Sequence, residues 1–274
     1  MSYKDLRDQD NIKIKLPNSL KHISIIMDGN ARWAELNNKP SYYGHLVGSE
    51  VTKNIIEICS KINLQHLSLY LFSIENWNRP IQEINNIFKI YLNYLTSEDE
   101  ITKLQKQNIK VLFLGSQVNL DSELIEKMAN MQNLTKNNTG LNLHILFNYS
   151  GKKELVDATK KIAFYFANKA IEIFKQEKNI DLLKFENIIQ TEINEKYLKD
   201  NLYSPNMPDV DLLIRTGNRN RVSNILPFHI SYTEIAFLET LWPNFTTLDL
   251  KNCIENFYNE KTRTFGSRIN AEKI

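Results

Sequence analysis

HISIIMDGNARWA, residues 22–34, carries the reading of the fold. Its first six residues, His22–Met27, are an isoleucine-rich run short enough for a buried strand and too short for a helix. Asp28-Gly29-Asn30 then supply turn chemistry, and a short helix is predicted from near Ala31. An apolar strand that passes through a polar turn into a helix opens a β-α unit, in which parallel strands are covered by helices.

The same alternation continues outward. Gly48–Lys61 has helical period, with Val51, Ile55, Ile58 and Cys59 on one face that runs on to Ile62. Gln65–Phe72 is rich in strand formers. Pro80 is predicted to open a helix, since its missing N–H has no intrahelical partner in the first turn. Ile81, Ile84, Ile87, Phe88, Tyr91, Leu92 and Leu95 give that helix one broad apolar face. Ile109–Leu114 and Leu141–Phe147 read as strands, with a helix through Leu124, Ile125, Met128 and Met131 between them. A long helix follows from Lys152 to about Gln176, and another near Lys184–Tyr197. Strands at Val210–Arg215 and Glu234–Leu238 precede a last helix at Leu248–Tyr258. The prediction is α/β: a single domain, residues 21–274, with a mostly parallel central sheet flanked by helices, after an N-terminal extension, residues 1–20.

The 274 residues are 42% hydrophobic and 24% charged, which suits a soluble globular protein. A net charge of +2 supplies no strong field toward nucleic acid, and no nucleic-acid partner is expected. Cys59 and Cys253 stand far apart without a CxxC pair, as in a reducing compartment. Residues 1–20 mix charges of both signs and are not read as a secretory signal. The apolar runs are too short to span a bilayer, and the expected location is cytoplasmic. Neither a GxxxxGK[ST] loop nor a GxGxxG follows a strand, which weakens the alternative of a nucleotide-binding module.

Ligands of open α/β sheets sit beyond the carboxyl ends of the strands. Here those ends are Asp28, Ser73-Ile74-Glu75-Asn76-Trp77, Gly115-Ser116, Asn148-Tyr149 and Arg215-Thr216, all polar or glycine-bearing. Asp28, between strand and helix, is placed to hold Mg²⁺ while N–H groups at the helix start take phosphate oxygens; a capped turn has the same tripeptide. Arg215 and Arg221, with Ser223, offer permanently charged bidentate contacts to phosphate, against the plainer reading of a solvated loop.

Taken together, these segments resemble the cis-prenyltransferases of the bacterial undecaprenyl diphosphate synthase type. The resemblance is carried by HISIIMDGNARWA (22–34), GHLVG (44–48), LSLYLFSIENWNRP (67–80), FNYSGKKELVDA (147–158) and DVDLLIRT…RVSNILPFHISYTEIAFLETLWPNF (209–245), in the family's order from about residue 20 to 266. It implies a Mg²⁺-dependent enzyme that condenses isopentenyl diphosphate onto an allylic diphosphate, farnesyl diphosphate being the expected starter. The implied product is a long polyprenyl diphosphate, a lipid carrier for cell-wall glycans, grown in a hydrophobic tunnel. A homodimer with transient peripheral membrane contact is implied as well.

By the same resemblance Asp28 holds the Mg²⁺–diphosphate and assists ionisation, with Asn76 as a second catalytic residue. Gly29, Asn30 and Arg32 bind the allylic diphosphate, and His45 lies near it. Ser73, Glu75 and Arg79 share that pocket, and Trp33 and Trp77 contact substrate, Trp77 against the prenyl chain. Arg215, Arg221 and Ser223 take the diphosphate of isopentenyl diphosphate, and Glu234 helps to hold Mg²⁺. Cationic side chains and the metal neutralise the departing pyrophosphate. A diphosphate oxygen, Asp28 and a polar group near Ser73 are all candidates to accept the proton that is lost.

Five departures from the family pattern stand out. Ala31 replaces a glycine where a helix begins, which alanine favours. Ser41 stands where an arginine is usual. Gly217-Asn218-Arg219-Asn220-Arg221 replaces a Ser-Gly-Glu-x-Arg run, and Arg219 is expected to compensate partly for the cation missing near Ser41. Leu146 replaces a small residue and is expected to shorten the product if it faces the tunnel. Arg263-Thr264-Phe265-Gly266 resembles a dimer-interface element that has lost one arginine. A non-catalytic partner subunit is the main alternative; the retained Asp28, Arg215, Arg221 and Glu234 favour catalysis.

Overall fold

β1 (His22–Ile26) is buried along its whole length because β2 (His66–Ser73) pairs with one edge and β5 (Leu212–Arg215) with the other, both parallel to it. The computed structural model describes residues 13–259. The sheet has six strands, all parallel, with β3 (Lys110–Leu114) and β4 (Asn142–Tyr149) beyond β2 and β6 (Glu234–Phe237) beyond β5; the order is β3-β4-β2-β1-β5-β6. The chain leaves β1 toward β2 and later returns on its other side at β5, so β1 marks the point where strand order reverses. Crevices open at such points in α/β sheets.

The helices between strands are α1 (Asn30–Leu36), α2 (Ser41–Lys61), α3 (Ile81–Thr96), α4 (Glu98–Lys106), α5 (Ser122–Thr135), α6 (Gly151–Glu177), α7 (Leu182–Glu192) and α8 (Glu195–Asp200), and α9 (Thr247–Asn259) follows β6. The main core lies where Ile23, Ile25, Leu67, Leu69, Leu143 and Ile145 of the sheet meet Val51, Ile55 and Cys59 of α2 and Leu124 and Met131 of α5. A smaller core joins Ile26, Leu146, Tyr149 and Leu213 to Met207, Ile225 and Leu226. Both cysteines are free, and burial pushes both thiols up to about 12. Leu20 is buried, and Ile14 and Leu16 pack against the main core.

Each expected strand is present within a residue or two. The sheet is wholly parallel, and Pro80 caps α3 from just outside it. α2 starts seven residues before the predicted helix and takes in Gly44 and Gly48. Those glycines mark the contact with α1: a Cβ on Gly44 would stand 1.9 Å from the Asn30 carbonyl oxygen. α4 was not expected; it is nine residues long and turns only Ile101 and Leu104 to the core, too few to mark a helix. The stretch expected as one helix near Lys184–Tyr197 is two, separated where the Asn194 side chain caps α8. Arg263–Gly266, and the expected dimer role of that element, lie outside the described residues.

Four of the five histidines gather at or near the amino ends of the strands. The rings of His22, His66 and His144 lie 5.4–5.8 Å apart, and the buried His229 approaches Asp209 at 3.3 Å. His22 Nδ1 donates to the Pro208 carbonyl at 2.9 Å, and Nε2 lies 2.7 Å from the Ser68 hydroxyl. Burial holds His22 down to about 3 and His144 well below the ordinary histidine value. The unfolded chain takes up these protons near 6.5 and the folded chain does not, so stability is full above 6.5 and falls as pH drops toward 3. Urea unfolding at pH 7.5 and 5.5 should show a loss on the order of 1 kcal/mol for each imidazole that stays neutral; equal stability at the two values would contradict the neutral cluster.

Candidate active site

Three strand ends and two loops converge beyond β1. Asp28 follows β1, Arg215 ends β5, and Ser73 ends β2, where a 3₁₀ turn, Ile74–Asn78, begins. Gly29 caps α1 with φ of 114°, a left-handed conformation that costs glycine little. Its carbonyl accepts from the Trp33 amide, so the chain enters the helix within one residue of the carboxylate. At the second loop, Ser73 and Asn76 form a reciprocal capping box: the Ser73 amide donates to Asn76 Oδ1 at 2.9 Å.

Asp28 is gripped from both sides. Arg32 Nη2 donates to Oδ1 at 3.0 Å and Arg215 Nη2 to Oδ2 at 2.9 Å. The Thr216 hydroxyl donates to the Asp28 carbonyl at 2.8 Å. Arg215 is only 4% exposed, and its Nη1 donates at 2.5 Å to both the Arg221 carbonyl and the Ser223 hydroxyl. Its Nε is buried without a protein partner. The loop that supplies these groups is strained: Asn218, Ser223, Asn224 and Leu226 have φ of 52°, 47°, 62° and 42°. Such backbone persists only when its surroundings over-determine it, and it clusters at functional sites.

A second cationic group faces the first. Arg79 Nη1 donates to Glu83 Oε1 at 2.8 Å and stands 3.4 Å from His45 Nε2. His45, whose Nε2 lies 3.6 Å from Oε1, and Arg79 together hold the Glu83 carboxyl down to about 2 despite its partial burial. Ser41 belongs here too, its hydroxyl donating to Glu83 at 3.3 Å. Arg219 is exposed and does not line the cavity, so the structure does not bring it to Ser41 as expected.

These groups ring the mouth of a cavity of about 810 Å³. Twelve of the fifteen expected site residues line it: Asp28, Gly29, Asn30, Arg32, His45, Ser73, Glu75, Asn76, Arg79, Arg215, Arg221 and Ser223. Below them the lining turns apolar, with Ile56, Leu69, Ile87, Ile90, Tyr91, Phe113, Leu124, Met128, Ile145 and Phe147. The second half of the α3 face forms one wall; Ile81, at its start, is exposed.

Three expected residues lie elsewhere. Trp33 stacks on Tyr43 and donates to Asn244 at 2.8 Å. Trp77 donates to Asn148 at 2.8 Å and meets Phe72 and Phe88 edge-on, which places it in the packing behind the cavity wall. Asn148 is thereby spent on structure, as its amide also donates to the Ser116 and Val118 carbonyls. Glu234 begins β6 opposite Leu212, which pairs with Ile23. It stands at the amino end of the sheet, three residue steps or roughly 10 Å below the level of Arg215. The metal role expected for Glu234 is not served by this chain's own fold around Asp28.

Leu146 also departs from expectation. It is fully buried in the smaller core, on the face opposite its neighbours Ile145 and Phe147, and does not reach the cavity. Asn224 was missed. It lines the cavity, and its amide donates to Glu75 at 3.1 Å and Ser150 at 2.8 Å, tying the arginine loop to the 3₁₀ turn and to α6. In so asparagine-rich a sequence its position beside Ser223 was the sole signal.

A pocket with four guanidinium groups and the carboxylates of Asp28 and Glu75 at its mouth and hydrocarbon beneath suits an amphiphile with an anionic head. Asp28 also fits Mg²⁺, which commonly takes one or two carboxylates and completes its shell with phosphate oxygens and water. The partnerless Nε of Arg215 is a donor in reserve for such oxygens.

Comparison with known proteins agrees. A family model described as "Putative undecaprenyl diphosphate synthase" matches residues 26–266. An isoprenyl transferase of Clostridium tetani is 37% identical over 258 residues, 94% of this chain and 93% of that protein. A ditrans,polycis-undecaprenyl-diphosphate synthase of Haemophilus influenzae, farnesyl-diphosphate specific, is 35% identical over 93% of this chain and 98% of its own. Among solved structures, lavandulyl diphosphate synthase of Lavandula x intermedia in complex with dimethylallyl diphosphate superposes with a TM-score of 0.76 at 25% identity, covering 90% of this chain and 98% of that one. A probable undecaprenyl diphosphate synthase of Campylobacter jejuni gives 0.67 at 30% identity, covering 92% and 100%. The chain belongs to the undecaprenyl diphosphate synthase family of cis-prenyltransferases.

Proposed function

We propose that this prenyltransferase adds isopentenyl diphosphate units to farnesyl diphosphate and makes a long-chain, undecaprenyl-type polyprenyl diphosphate. The observation that carries the reading is Asp28 held between Arg32 and Arg215 at the mouth of an apolar cavity. Arg32, with Asn30 and the start of α1, receives the allylic diphosphate, and Arg79 and His45 flank it. Arg215, Arg221 and Ser223 receive the diphosphate of isopentenyl diphosphate. The two heads then lie on either side of Asp28 with their hydrocarbon ends directed into the cavity.

Asp28 would hold Mg²⁺, which when bound supplies Lewis-acid neutralisation of the departing diphosphate. The arginines add fixed positive charge where negative charge develops, and this preorganisation lowers the barrier. Asn76, its carbonyl oxygen fixed by the Ser73 amide, presents its carboxamide at the same mouth. The double bond of isopentenyl diphosphate attacks the allylic carbon as its bond to the diphosphate oxygen breaks. A proton then leaves the adduct, and the product has grown by one five-carbon unit. A homodimer in the cytoplasm, touching the membrane to hand over its product, completes the proposal. Among the described residues no helix is long and apolar enough to cross a membrane.

The test is label transfer. Purified protein with Mg²⁺, farnesyl diphosphate and labelled isopentenyl diphosphate should yield organic-extractable product. Asp28→Asn, which keeps an oxygen acceptor for Arg215, should lose on the order of 10²-fold or more of that rate; no transfer by the wild type would overturn the proposal in favour of a partner subunit. Leu146→Ala should leave the chain-length distribution unchanged, since the side chain packs in the smaller core. A longer product from that variant would contradict the placement of Leu146.

A further inference from the structure

The apolar walls of the cavity are interrupted once by a charged cluster. Lys53 Nζ lies 3.0 Å from Glu50 Oε1 on its own helix and 3.1 Å from Glu100 Oε1 of α4, and it stands over the Tyr94 ring of α3 at 5.8 Å. All four residues line the cavity. Lys53 and Glu50 are 33% and 40% exposed, so this cluster reaches solvent, whereas behind α3 the rings of Phe72, Phe88 and Phe147 pack with centroids 5.1–5.6 Å apart. Lys53 to Glu100 is thus a seam between α2 and the α3–α4 junction.

The size of the cavity gives the seam a role, provided the proposed prenyl transfer is right. An apolar cavity of about 150 Å³ takes one benzene, so about 810 Å³, part of which is the polar mouth, takes at most roughly five or six units of five carbons. An undecaprenyl chain has about twice that many. The wall has to yield as the product grows, and it yields most readily where it is held by partly exposed ion pairs, which are individually weak.

We propose that the Lys53–Glu50–Glu100 cluster is a latch that opens to let the growing prenyl chain pass out between α2 and α4, and so takes part in setting product length. The lysine suits this position. Its aliphatic stem covers hydrocarbon while the ammonium stays with the carboxylates, so the latch closes over a short chain without leaving a greasy gap to water.

The experiment is to tie the seam shut. Lys53→Cys/Glu100→Cys is bridged with a short bis-maleimide containing a reducible disulfide; the native Cys59 and Cys253 are buried and are not expected to react. Product lengths are measured with farnesyl diphosphate and excess isopentenyl diphosphate. The first condensation, whose product fits the closed cavity, reports that the site is intact. Bridged protein should carry out that step and stop at about half the wild-type length, and reductant should restore the long product. Lys53→Met, with the latch unpinned, should give products at least as long as wild type. The proposal is overturned if bridged and unbridged proteins make the same lengths, or if the wild type makes nothing longer than the cavity holds. Absence of any transfer by the wild type would instead remove the functional reading, and the latch with it.

Discussion

The pairing of Asp28 with Arg215 is the constraint on which the site depends. A guanidinium only 4% exposed at the end of a strand is costly unless its charge is met, and removing the partner of such a group is more damaging than never having buried it. Asp28 meets it from the neighbouring strand, and the Arg221 carbonyl and Ser223 hydroxyl meet it from the loop that follows β5. The parallel pairing of β1 with β5 sets Ile26 opposite Arg215 and delivers Asp28 within reach. The strained backbone at 218–226 is the cost of folding the arginine loop back onto its own strand.

From that pair the division of the molecule follows. Charge is confined to the rim, where β1, β2 and β5 end, and hydrocarbon fills the space between the sheet, α2, α3 and α5. The single charged interruption of that wall, at Lys53, lies between helices and away from the strand ends. Its position suits mechanical closure better than chemistry. The second cationic group is arranged differently: Arg79 is anchored by Glu83, whose carboxylate also takes His45 and Ser41. Ser41 contributes only a hydroxyl to Glu83, and the cations of the rim are Arg32, Arg79, Arg215 and Arg221.

Much of this was legible in the sequence because strands buried on both faces read as continuous apolar runs, and the residues just beyond them stand out by contrast. That is why β1, β2, β4 and β5 were found and why Asp28, Ser73 and Arg215 converge as expected. Other features depend on tertiary packing and leave little local trace. α4 is nine residues long and turns only Ile101 and Leu104 to the core, too short a period to stand out. The glycines of α2 look like helix breakers until α1 is seen lying against them. Side-chain direction also escaped: Leu146 and Phe147 are adjacent, yet one enters a core and the other a cavity, because successive strand residues face opposite ways. Trp77 and Glu234 show the limit of resemblance alone, which supplies a role without showing which way the fold turns the residue.

The claim that Asp28 is the carboxylate through which the metal reaches the diphosphate is tested most directly by calorimetry with inorganic pyrophosphate, with and without Mg²⁺. In the wild type Mg²⁺ should tighten pyrophosphate binding by at least tenfold. In Asp28→Asn, which keeps an oxygen acceptor for Arg215, the arginines should still bind pyrophosphate, but added Mg²⁺ should give little gain. An equal gain from Mg²⁺ in both proteins would contradict the account.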